Sequence, residues 1–63
     1  MAKIRRATIT EVAFNFRIAT DEARKVLNAA NTLNVTTTRT VGYDTFTLYP
    51  AVDGKPAHFV YGN

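Results

Sequence analysis

Residues 20–33, TDEARKVLNAANTL, carry apolar side chains at Ala23, Val26, Leu27, Ala30 and Leu33. That spacing is one stripe of an α-helix. Thr20 is placed to act as N-cap, its hydroxyl accepting from the free amides of the first turn. Asp21 and Glu22 put negative charge at the positive end of the helix dipole. Asn34 can end the helix in the left-handed conformation.

Beyond Asn34 the period changes from helical to alternating. Residues 35–41, VTTTRTV, are rich in β-branched side chains. Gly42, Tyr43 and Asp44 interrupt the run. In 45–50, TFTLYP, Phe46 and Leu48 fall on one face and Thr45, Thr47 and Tyr49 on the other. The two runs predict a β-hairpin. Asp53-Gly54 is a turn signal, and 57–61, AHFVY, can return as a further strand. Pro50 and Pro56 flank strands, where a missing donor is tolerated.

The stretch 8–18 fits two periods. As a strand, it places Val12, Phe14, Phe16 and Ile18 on one face, with Ile9 out of register. As a helix, Ile9, Val12, Ala13 and Phe16 share a face, and Thr8 with Glu11 forms a T-x-x-E capping box. Phe14 is then left outside. The joint pattern favours the helix: helix 9–16, turn Arg17-Ile18-Ala19, helix 20–33 is a helix-turn-helix spacing. Ala13 falls where two such helices come closest, and Ile18 plugs the turn into the core.

A chain of 63 residues without cysteine is one domain at most, with a thin core and neither disulfides nor thiolate metal sites. No apolar run approaches a membrane span and no signal-peptide core follows Met1, so a soluble, cytoplasmic protein is expected. Net charge is +3. Residues 1–25 hold six Lys and Arg against three Asp and Glu, and the remainder two of each. A polyanion partner is compatible with that excess.

The segments 9–27, ITEVAFNFRIATDEARKVL, and 35–50, VTTTRTVGYDTFTLYP, together resemble a winged helix-turn-helix DNA-binding domain. The pattern is similar to small regulators of bacterial fimbrial operons and of phages and plasmids, with an E-V-A step and an A-R pair at matching spacing. It covers about two-thirds of the chain. Three departures stand out. Only MAKIRRA precedes the unit, so the family's first helix is short or missing, and Lys3 to Ala7 is expected as a strand pairing with the wing. Arg17 replaces the usual turn glycine. An extra strand at about 57–61 follows the wing. The expected fold is therefore α+β: one domain, 1–63, with helix-turn-helix 8–34 and wing hairpin 35–50.

The resemblance implies double-stranded DNA as partner, with the second helix in the major groove. Its outward residues are Asp21, Arg24, Lys25, Asn28 and Asn31. Arg24 suits a guanine edge and Asn28 an adenine edge. Thr20 and the helix-start amides suit a phosphate, although Asp21 and Glu22 repel one. Arg39 and Tyr43 sit near the wing tip, and Lys3, Arg5 and Arg6 are expected phosphate contacts. A homodimer is expected to cover bare apolar surface around Phe14. Each of these residues also has an ordinary reading as solvated surface.

Catalysis has no constellation to support it. His58 is the single histidine, without cysteine or a carboxylate at metal-ligand spacing, and neither a phosphate loop nor a nucleophile elbow is present. No enzyme activity, metal or cofactor is expected. The alternative, with 8–18 as a strand, is a β-α-β-β-β module of one helix on an antiparallel sheet. Small phage proteins that inhibit host enzymes or CRISPR complexes have similar layouts. Phe14, Tyr43, Tyr49 and Tyr61 would then face a host protein.

Overall fold

Thr8 starts the first helix. Its backbone is extended (φ −100°, ψ 167°) and its hydroxyl accepts from the Glu11 amide at 3.2 Å. The helix runs Ile9–Phe16 and stops at Arg17, which adopts the left-handed conformation at φ 57°. A second helix runs Thr20–Leu33 and stops the same way at Asn34, φ 54°. In this computed structural model, which describes residues 3–62, the order is β1 (Lys3–Arg6), α1 (Ile9–Phe16), α2 (Thr20–Leu33), β2 (Thr37–Val41), β3 (Asp44–Tyr49) and β4 (His58–Tyr61). The outermost ends of the expected 1–63 domain lie outside the described residues.

The strands form one antiparallel sheet in the order β1-β4-β3-β2. Strand alternation puts Phe46, Leu48, Phe59 and Tyr61 on one face, and both helices pack there. Val12, Phe16, Ala23 and Ala30 from the helices are buried with Leu48 and Phe59 from the sheet. The Phe16 and Phe59 rings meet edge to face at 5.5 Å, the arrangement their quadrupoles favour. Ala13 and Ile18 pack at the rim of this core. The fold is thus a small α+β unit, two helices on a four-stranded sheet.

Gly42, at φ 64°, supplies the left-handed position in the β2–β3 turn, between the paired residues Val41 and Asp44. The β3–β4 connection folds back through the Val52–Lys55 bridge around Asp53-Gly54. The Ala51 amide donates to Asn31 Oδ1 at 2.9 Å, tying the connection to α2. Ala7 donates to the Ala57 carbonyl at 2.9 Å and extends the β1–β4 ladder.

Five sequence expectations are corrected. Residues 9–16 are helix, so the β-α-β-β-β alternative with a strand over 8–18 does not hold. Ala19, not Thr20, occupies the N-cap of α2, and no side chain caps that end. The capping box is half formed: Thr8 caps, but the Glu11 carboxylate turns to Arg5 at 2.9 Å. The expected strand at Lys3 to Ala7 forms, yet it pairs with β4 rather than with the wing, because β4 inserts between β1 and β3. Leu33 is 67 % exposed: it is the last residue of α2, past Ala30, the last buried position of the stripe.

Candidate nucleic-acid interface

The helix, three-residue turn and helix hold α2 with Ala23 and Ala30 buried and Val26 and Leu27 packed against the core. That orientation turns Asp21, Glu22, Arg24, Lys25 and Asn28 to solvent. Arg24, Lys25 and Asn28 therefore stand on one exposed surface, as expected. Thr20 is exposed at the first turn without a capping role. Asn31 serves as a loop anchor, its side-chain oxygen taken by the Ala51 amide.

The charges of the helical layer balance. Arg17, Arg24 and Lys25 face solvent along with Asp21 and Glu22, and Glu11 is half-buried. The excess expected over residues 1–25 resides in β1, not on α2. Sequence position hides this division, because β1 and the helices are consecutive in the chain but occupy different layers.

Strand alternation separates the three β1 cations. Lys3 and Arg5 share the helix-side face, and Arg6 points to the opposite one. Lys3, Tyr61, Phe46 and Arg39 form one row across the four strands, with the cations on the two edge strands. Between them the Phe46 and Tyr61 rings lie 5.2 Å apart. Tyr61 is half-buried against the core and is not the open contact residue the second reading assigned. Tyr43 stands fully exposed at the hairpin tip.

Arg5 is engaged. Its Nη1 donates to Glu11 Oε1 at 2.9 Å, and that hydrogen bond is the main cause of a guanidinium pKa raised above its ordinary value. A phosphate at Arg5 must compete with this carboxylate. Arg6 instead neighbours His58, Lys55, Ile4 and Pro56 around a shallow recess. Lys55 and His58 were not singled out for binding by sequence. The β-branched and aromatic alternation of 45–50 and 57–61 was the available signal, since it fixes which side chains leave the core.

Among the described residues, no group of three His, Asp or Glu stands close enough to hold a metal ion. Among the described residues, too, no helix is long and apolar enough to cross a membrane. No known protein family, curated protein or solved structure matches the chain.

Proposed function

We propose that this protein is a DNA-binding regulator of winged helix-turn-helix type, acting as a cytoplasmic homodimer by occupying DNA rather than by chemistry. The observation that carries the reading is the α1–turn–α2 unit. It reverses at a left-handed Arg17 and presents Arg24, Lys25 and Asn28 on the open side of α2, ahead of a hairpin tipped by Tyr43. In this reading α2 enters the major groove, where Arg24 and Asn28 meet base edges and Lys25 a phosphate. The 35–50 hairpin acts as the wing, bringing Arg39 and Tyr43 to the backbone or minor groove. Thr20 and the first amides of α2 lie against a phosphate. Phe14, 72 % exposed on α1, is the natural centre of a dimer contact.

The test is titration of random duplex DNA across a salt series with wild type and Arg24→Ala/Lys25→Ala. Binding that weakens steeply with salt, with a lower affinity in the double variant and a slope lower by roughly one for the lost Lys25 phosphate contact, supports α2 as the DNA-facing helix. The balanced charge of the helical layer and the exposed Phe14 favour one other reading, a phage-type module that binds a host enzyme or CRISPR complex. Absence of duplex binding at low salt, with capture of a specific host protein that Phe14→Asp abolishes, selects that reading.

A further inference from the structure

The sheet face turned away from the helices has a chemistry of its own. Alternation places Ile4, Arg6, Thr47, Tyr49, His58 and Val60 there. Arg6, His58 and Tyr49 are successive cross-strand partners on β1, β4 and β3. The His58 and Tyr49 rings stack with centroids 5.1 Å apart and planes 16° from parallel, and Tyr49 remains 39 % exposed. Ile4, Arg6, Lys55, Pro56 and His58 line an open recess of about 350 Å³ beside the stack.

Among the described residues, charge on this face has one sign. Glu11, Asp21 and Glu22 belong to the helices, Asp44 shares the helix-side alternation of β3, and Asp53 sits in the turn beyond Val52. Arg6 and Lys55 thus meet no carboxylate among the residues of the face or its recess. A flat, cationic surface with a stacked ring pair and an apolar floor of Ile4 and Val60 fits an anion that carries its own rings. A duplex hides its base faces and offers only groove edges and phosphates. A single strand offers both base faces and phosphates.

We infer that this sheet face binds single-stranded nucleic acid. A base extends the Tyr49–His58 stack, and Arg6 and Lys55 hold the flanking phosphates. The inference does not rest on the α2 reading, because α2 packs on the other side of the sheet and the face is defined by different residues.

The experiment titrates fluorescein-labelled oligothymidylate and oligouridylate, about a dozen nucleotides long, into wild type, Arg6→Gln and Tyr49→Leu. Anisotropy is followed over a salt series, and circular dichroism checks the fold of each variant. The same unlabelled strands are titrated into ¹⁵N-labelled wild type. The expected result is salt-sensitive binding to the single strands, weakened roughly tenfold in folded Tyr49→Leu and less in Arg6→Gln. Amide shifts are expected to concentrate on Thr47, His58 and Val60. Three results each overturn the assignment: no binding at low salt, shifts confined to α2, or a wild-type dimer that buries this face and leaves the spectrum unmoved by oligonucleotide. Duplex binding through α2 is read from its own titration, so either site can fail alone.

Discussion

The guanidinium of Arg5 on β1 and the carboxylate of Glu11 on α1 meet at 2.9 Å, joining the edge strand to the first turn of the first helix. Arg5 is 61 % exposed and Glu11 26 %, so water screens the pair and its share of stability is small. Its larger effect is on binding, because it occupies one of the few excess cations. Glu11→Gln should leave the melting temperature nearly unchanged. It should tighten binding to a polyanion at low salt and steepen the salt dependence by roughly one phosphate contact. Titration of wild type and Glu11→Gln against the same duplex checks this, while single-strand binding should not change because Arg5 lies on the sheet face opposite Arg6; an unchanged duplex slope would show that Arg5 meets no phosphate.

Among the described residues, Thr8 alone supplies a side-chain oxygen to the amides at the start of α1. Thr8→Ala should cost about 1 kcal/mol, a sizeable fraction of the stability of so short a chain. Thr20→Ala should cost much less, because Thr20 does not cap α2. Urea unfolding of both variants compares them directly. Equal losses would mean that the two helix starts are capped alike.

Arg17 holds a left-handed backbone at φ 57° although it has a Cβ. A glycine there avoids the clash of that Cβ with the following carbonyl, which costs roughly 1–2 kcal/mol in L-residues. Part of that gain is lost to the greater freedom of an unfolded glycine. Arg17→Gly should therefore stabilise by about 0.5 kcal/mol, and Arg17→Val, with its branched Cβ, should destabilise clearly. Denaturant midpoints of the two variants should lie on opposite sides of wild type.

The same residues explain how far the chain was legible from its sequence. Over 9–16 the apolar positions satisfy both a two-residue and a helical period. What separated them was local chemistry: a capping threonine at one end and a short turn before another helix. The β2–β3 hairpin was equally local, with Gly42 and a clean alternation around Phe46 and Leu48. The partner of β1 was not legible, because Lys3 pairs with Tyr61 at nearly the full length of the chain. No local rule chooses between β3 and β4 for that edge. The candidate site suffered for this reason. Strand alternation alone sends Arg5 and Arg6 to opposite faces, but which of them faces the helices follows only from the pairing of β1 with β4. Asn15 was missed as well. It lies at i+3 from Val12 on the inner face of α1 and is buried, with its amide nitrogen unpartnered among the described residues; no sequence signal marks a buried polar residue of this kind.

Phe14 and Phe59 give the sharpest contrast in cost. Phe59 is fully buried at the centre of β4, against Phe16. Phe59→Ala should lose about 3–5 kcal/mol, enough to leave a 63-residue domain largely unfolded at room temperature. Phe14 is 72 % exposed on the outer side of α1, so Phe14→Asp should change monomer stability by no more than about 0.5 kcal/mol. Were 8–18 a strand, Phe14 would lie in the core and the aspartate would be ruinous. If the protein is a dimer through Phe14, the variant should melt lower only where the wild-type melting temperature rises with protein concentration. Thermal unfolding of both proteins over a wide concentration range separates the cases. A concentration-independent loss of several kcal/mol in Phe14→Asp would contradict the helical assignment of α1 itself.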